Sequence, residues 1–343
     1  MSTRHTAVVR FAVVVVALAL TVTACTPEPT PVPAQDPVSV WNSVRLAINT
    51  ASVDMPGTDV RRDITGARDA GFGAIRLVIP WSEPTEGTID WSASDAKVDA
   101  ATDNGLPILG VVTWAPTWAV PPDYAHTAHP APTNPQRFAQ FASAAASRYR
   151  DRITAWEVWN EPNIAASFGP SANPEQYCAI LRETSTAIRA AAPNALVITG
   201  PTSPAVDSTN DLSPETFVEA LYRCAGHHTF DAIAMHPYST PNLLAQSIST
   251  HQIDAVRHVM ERNNDADKQI WFTEFGAPSS ENQAAILADG IKTLQSLPYA
   301  GPVFVFDYRD SLTGSDIPDF NYGLLRSDYS PKPAFDAVRN LPR

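Results

Sequence analysis

The chain has 343 residues, 44% of them hydrophobic and 17% charged, a balance that supports a globular core and excludes disorder throughout. Its formal charge is −12, so a nucleic acid partner is excluded by repulsion from the phosphates. Once a leader is removed, the length admits one large domain or two ordinary ones.

Residues 1–24 read as an export signal. Arg4, His5 and Arg10 precede the apolar run FAVVVVALAL, residues 11–20. That run is short for a membrane span and has the length of a signal-peptide core. It leads into VTAC, residues 22–25, which resembles the bacterial lipobox: an aliphatic residue, two small residues, then cysteine. In such proteins the cysteine becomes the lipidated first residue of the mature chain. Cys25 is therefore the expected lipid attachment point, and the membrane the expected partner at that end. The alternative is an ordinary cleaved signal followed by an unmodified cysteine. Residues 25–40 include TPEPTPVPAQDP, with proline at five of twelve positions, and read as an extended spacer. The protein is expected outside the cytoplasm, lipid-anchored to a bacterial cell membrane or secreted.

From residue 41 to 343, short β-rich apolar runs alternate with helical stretches. VRLAI (44–48) is followed by a helix near 59–70, AIRLVI (74–79) by one near 92–104, and PILGVV (107–112) by one near 134–149. ITAWEVW (153–159) precedes 174–192, ALVIT (195–199) precedes 213–225, and FDAIAM (230–235) precedes 243–264. QIWFTE (269–274) precedes 281–296, and PVFVFD (302–307) precedes 333–340. Asn134-Pro135, Asn173-Pro174 and Ser213-Pro214 each place a capping residue before proline at the first helical position. Eight alternations predict a single closed (β/α)8 TIM barrel, which typically takes about 250 residues. The doubly wound open sheet is disfavoured, because no GxGxxG or phosphate-binding loop follows any strand. The proline-rich stretches 115–132 and 200–214 are long for connectors and would lie on the face where a barrel builds its site.

In a barrel the C-terminal ends of the strands converge on one face. The predicted ends bring Arg76 and Trp81 from the second strand, and Trp114 and Trp118 after the third. The fourth supplies Asn160 and Glu161, the sixth His236 and Tyr238, the seventh Glu274. Asp307, Tyr308 and Arg309 follow the eighth. Two glutamates on one rim fit glycosidic bond cleavage: one protonated to give a proton to the leaving oxygen, one ionised to attack the sugar or activate water. Flat aromatic rings suit sugar faces, although tryptophans are more often core residues. Glu157 shares the strand parity of Glu161 and reads as the buried partner of a cation.

NEP at the end of the fourth strand, HPY after the sixth and WFTEFG across the seventh together resemble the retaining glycoside hydrolases of clan A, and most of all families thirty-nine and five. AGFGAIRLVIPWSEPTEGTIDW resembles the second-strand region of those enzymes. The likeness spans about residues 41 to 340. It implies hydrolysis of β-O-glycosidic bonds in a poly- or oligosaccharide by double displacement. Glu161 is then the general acid/base and Glu274 the nucleophile. Asn160 would bind the sugar 2-hydroxyl, Tyr238 would hydrogen-bond Glu274, and Arg76 and His236 would orient these groups. Trp114, Trp118, Phe306, Tyr308 and Tyr322 are candidate sugar platforms, each equally able to be a packing residue. No cofactor is expected, and no metal: the three cysteines have no zinc spacing and the carboxylates and histidines are taken by these roles. A bare barrel suggests endo action, and a monomer is expected. Two alternatives use the same fold: a sugar-binding barrel without turnover, and a transglycosylase acting on cell-surface glycan. If Cys25 carries lipid, Cys178 and Cys224 remain, either bridged between neighbouring helices or as two separate buried thiols.

Overall fold

The computed structural model describes residues 36–55, 57–124 and 129–341. Cys25, the leader and most of the spacer lie outside the described residues. Eight parallel strands form the barrel: β1 (Leu46–Asn49), β2 (Ile75–Pro80), β3 (Ile108–Thr113), β4 (Ile153–Val158), β5 (Leu196–Thr199), β6 (Ile233–Met235), β7 (Ile270–Phe275) and β8 (Ala300–Val305). β1 pairs with both β2 and β8, and pairing runs in order round to β5 on one side and β6 on the other. Parallel bridges Ile198↔Ala232 and Thr202↔Met235 close the ring between β5 and β6. The expected (β/α)8 barrel is therefore the fold.

Helices α1 (Pro37–Ser43), α2 (Val60–Asp69), α3 (Ser92–Asp103), α4 (Pro135–Arg148), α5 (Pro174–Ala191), α6 (Pro214–Cys224), α7 (Ile248–Arg262), α8 (Gln283–Ser296) and α9 (Pro333–Arg339) are found among the described residues. The three capping pairs read from sequence behave as such: Asn134, Asn173 and Ser213 accept from the backbone N–H of Arg137, Gln176 and Thr216. The sequence reading runs the spacer to residue 40, but α1 begins at Pro37. Asp36 caps it by accepting from Val38 and Ser39 N–H, the same cap-then-proline signal, hidden in a proline-rich stretch.

Two apolar layers result from strand alternation. Ile75, Leu77, Ile108, Trp156, Ile270, Phe272 and Phe275 face outward onto the helices. Ala47, Ala74, Leu109, Ala155, Ile198, Trp271 and Phe304 fill the lower interior, with Trp41 of α1. The Trp41 ring lies 5.0 Å from that of Trp271, and its Nε1 donates to Thr154 Oγ1 at 3.0 Å. Above this floor the interior becomes polar. Cys178 on α5 and Cys224 on α6 are joined by a disulfide with Cα atoms 6.0 Å apart. Loop-closure entropy for the enclosed segment gives a stabilisation of about 4 kcal/mol at most.

Candidate active site

Strand β4 ends in a bend that aims its last residues at the barrel axis. Trp159 and Glu161 both have positive φ, 72° and 47°. Such conformations cost non-glycine residues about 1–3 kcal/mol and persist only where the surroundings fix them. Here the Trp159 ring is completely buried, edge-on to Phe138, Phe168 and Trp114, with Nε1 donating to Ser167 O at 2.8 Å. On the opposite wall the β7–β8 register shifts between Phe272 and Phe275. That irregularity surrounds Glu274 and turns it toward the mouth.

A connected network joins seven residues singled out in the sequence: Arg76, Glu157, Asn160, Glu161, His236, Tyr238 and Glu274. Arg76 uses every donor of its guanidinium. Nη1 donates to Glu274 Oε1 at 2.5 Å and Asn49 Oδ1 at 3.1 Å; Nη2 donates to Asn160 Oδ1 at 2.8 Å; Nε and Nη2 both reach Glu157 Oε1. Burial works against its charge, but Glu157 and Glu274 more than offset this and hold Arg76 above its usual range. Tyr238 Oη donates to Glu274 Oε2 at 2.6 Å, and burial pushes this phenol well above its ordinary value, so it remains a donor. Both oxygens of Glu274 therefore accept hydrogen bonds.

Glu161 differs. Burial raises its pKa, opposed by hydrogen bonds from Ser203 and Ser167 and by the charge of Arg76. Ser167 Oγ donates to its Oε2 at 3.2 Å. His236 is fully buried, and desolvation first of all depresses it to about 3, so the ring is neutral. Its Nδ1 lies 2.9 Å from Glu161 Oε1 and 3.5 Å from Glu274 Oε2, and its Nε2 lies 3.1 Å from Thr273 Oγ1. One oxygen from each glutamate and a His236 nitrogen all fall within 4.8 Å of one another. Each of these atoms already has a protein partner, so we assign them hydrogen bonding rather than ligation. The Glu161 and Glu274 side chains keep 16% and 12% exposure, enough to meet a ligand.

The aromatic candidates separate. Trp114 is half-buried at the end of β3 with its ring stacked on His129, centroids 3.7 Å apart. Trp118 is held in the loop wall: Nε1 donates to Glu83 O at 2.8 Å, one edge meets Trp81, and the Arg137 guanidinium sits 5.5 Å from the ring centre. Tyr308 does not join the site. It is 4% exposed, and a Cβ on Gly66 of α2 would lie 2.1 Å from its Oη, so it packs outward between β8 and α2. The strand stops at Val305, and the following turn sends Tyr308 N–H to Asn49 O. Phe306 is the half-buried ring at that strand end, edge-on to Tyr238 and Tyr322. Sequence reading missed Asn49, which donates to Thr273 O at 3.0 Å and fixes Arg76. A polar residue closing the apolar run LAIN was its only signal. A cleft of about 660 Å³ opens elsewhere, between residues 279–284, 313–321 and the start of α9, and none of its lining residues belongs to the network.

The sequence profile described as Cellulase (glycosyl hydrolase family 5) matches residues 42–298. No curated protein matches the chain. Among solved structures, a family 39 glycoside hydrolase from Bacteroides cellulosilyticus WH2 is similar with TM-score 0.70 and 24% identity over 88% of this chain and 64% of that one. A monomeric β-xylosidase from Caulobacter crescentus CB15 gives TM-score 0.67 and 19% identity over 86% and 67%. An exo-β-1,4-mannosidase from Opitutaceae bacterium strain TAV5 gives 0.62 and 16% over 86% and 58%. At these identities the structures speak for the fold, and the chain spans under two thirds of the first. The profile covers well over half of the sequence, and the chain belongs to the cellulase family, glycosyl hydrolase family 5.

Proposed function

We propose that the protein cleaves β-O-glycosidic bonds of a poly- or oligosaccharide with retention, Glu161 acting as acid/base and Glu274 as nucleophile. The observation that carries this reading is the pair's spacing, an oxygen of each within 4.8 Å. Retaining enzymes hold the two carboxyl groups roughly 5–5.5 Å apart, and inverting ones roughly 6.5–9.5 Å to admit a water. The environments support the division of labour. Glu161, raised by burial, keeps a proton to give; Glu274, an acceptor on both oxygens, is bonded as a carboxylate.

In the first step Glu274 attacks the anomeric carbon while Glu161 protonates the leaving oxygen, giving a covalent glycosyl-enzyme. In the second Glu161 takes a proton from water, which displaces Glu274. Asn160 turns its carbonyl to Arg76, which leaves its NH2 to donate to a sugar hydroxyl. Trp114 and Phe306 are the rings we assign to sugar faces.

The test is the anomeric configuration of the first product, followed by proton NMR on whichever glucan, xylan or mannan the soluble barrel depolymerises. A β-anomer appearing first supports retention; an α-anomer appearing first overturns it. We propose endo action as part of the same reading: a spread of oligosaccharides supports it, and release of a single small sugar overturns it. Transglycosylation uses the same residues and is read from products longer than the substrate. We further propose that Cys25 carries a lipid holding the barrel outside the cytoplasm. Cys25→Ser should then move the protein from the membrane fraction to the soluble one.

A further inference from the structure

One acidic side chain inside the barrel takes no part in bond cleavage. Glu157, on β4 four residues before Glu161, is completely buried. Its Oε1 accepts two hydrogen bonds from Arg76, 3.0 Å from Nε and 2.6 Å from Nη2. Its Oε2 has no hydrogen-bond partner among the described residues. Thr273 stands beside the carboxylate and favours its charged form. His236 Nε2 lies 3.1 Å from the same Thr273 hydroxyl. A half-satisfied buried carboxylate is costly, and an apolar replacement of a buried ion pair is often as stable or more so. Holding Arg76 in place for the fold alone is a weak reason for Glu157.

The geometry supplies a stronger one. The guanidinium is a rigid planar fork. Its inner edge is gripped by Glu157, and its outer donors carry Glu274, Asn160 and Asn49. Fixing the inner edge fixes where the outer donors point. Arg76 also has a single positive charge to share between two carboxylates in a dry interior, where such interactions are strong. Charge on Glu157 draws on Arg76 from within and leaves Glu274 less quenched.

We infer that Glu157 is a positioning residue of the catalytic centre, which aims Arg76 at Glu274 and Asn160 and by its own charge keeps Arg76 from blunting the nucleophile. The inference rests on Glu274 being that nucleophile. The charged and titratable groups facing Glu157 are Arg76 from β2, Glu274 from β7, His236 after β6 and Tyr177 from α5. His236 is neutral, and burial raises Tyr177 far out of range. Burial first, with Glu274 adding and Arg76 opposing, moves Glu157 itself up to about 7. The tempering of Arg76 therefore belongs to the charged form of Glu157 and is absent when that carboxyl is protonated.

The experiment is covalent labelling by the 2,4-dinitrophenyl 2-deoxy-2-fluoro-β-glycosides of glucose, xylose and mannose. Their activated leaving group needs no acid, so the rate reports the nucleophile. Inactivation rates of the native enzyme and of Glu157→Gln are compared from pH 5 to 9. Glutamine matches the protonated side chain. The native-to-variant ratio is expected to be flat at acid pH and to climb about tenfold across neutrality, the equivalent of one pKa unit. A native-to-variant ratio of one at every pH marks a merely structural side chain and overturns the inference. Where the glutamine variant does not fold, Glu157→Asp keeps a titrating carboxyl but withdraws it by one methylene. Slower inactivation at an unchanged binding constant is then expected, and inactivation at the native rate overturns the positioning role. A label found on a residue other than Glu274 overturns the reading of the nucleophile itself, which a ratio of one with Glu274 labelled does not.

Discussion

At the residue scale, two glutamates with the same intrinsic chemistry are set apart by their surroundings. Glu161 is desolvated and keeps its proton to higher pH, whereas Glu274 lies between the donors Arg76 and Tyr238. Glu161→Ala is expected to lower turnover about 10²–10⁴-fold on glycosides with poor leaving groups. On activated aryl glycosides the loss should be small in the first step, and azide should restore turnover with a β-glycosyl azide as product. Equal loss on both substrate classes would contradict the assignment. The Ser167 hydroxyl donates to Glu161 Oε2 and so stabilises the ionised form. Ser167→Ala removes that bond, and Glu161 then holds its proton to higher pH. The basic limb of kcat/KM should therefore move up by less than about one unit. A pH–rate profile that moves down, or stays in place, would show that Glu161 does not set this limb.

At the element scale, the ends of the strands decide which side chains meet. Tyr308 sits past the end of β8 and packs into the notch left by Gly66 on α2. Gly66→Ala puts a Cβ 2.1 Å from the Tyr308 oxygen, and the overpacking should cost about 1–3 kcal/mol in denaturant unfolding. Tyr308→Phe should leave kcat/KM unchanged, where a sugar platform losing its hydroxyl contact would not. The sequence exposed the strands, the helix caps and the NEP, HPY and WFTEFG segments, because buried parallel strands read as continuous apolar runs with a break at each end. It did not expose which ring after β8 faces the axis, because that depends on a turn tied to Asn49 O rather than on strand parity. Asn49 itself went unread, since a lone asparagine after LAI carries no motif and gains its role only through Arg76, 27 residues later. The α1 helix was obscured by composition: Asp36-Pro37 signals a helix start, but the prolines before it signal a spacer.

At the scale of the whole molecule, an apolar floor under a polar, charge-bearing mouth links stability to pH. His236 is neutral in the folded barrel down to about 3, while an unfolded histidine takes its proton near 6.5. Between these values the unfolded chain binds the extra proton, so stability rises with pH and is lost as pH falls through the window. Burial raises Glu157 and Glu161, which act in the opposite sense over part of this window, so the ring itself is the readout. Its imidazole resonances followed by NMR should stay those of a neutral ring from pH 7 to 4, and a titration near the ordinary histidine value would contradict a neutral buried ring. The barrel also explains how glutamates 113 positions apart in the chain come within reach of one sugar, β4 and β7 approaching the mouth from opposite walls. That convergence is the central claim, and trapping the glycosyl-enzyme tests it most directly. After inactivation by a fluoroglycoside that the enzyme accepts, peptide mass spectrometry should place one fluorosugar on the segment holding Glu274, with Glu161 unmodified. A fluorosugar on any other residue, or an active enzyme that inverts and takes no label, would contradict the account.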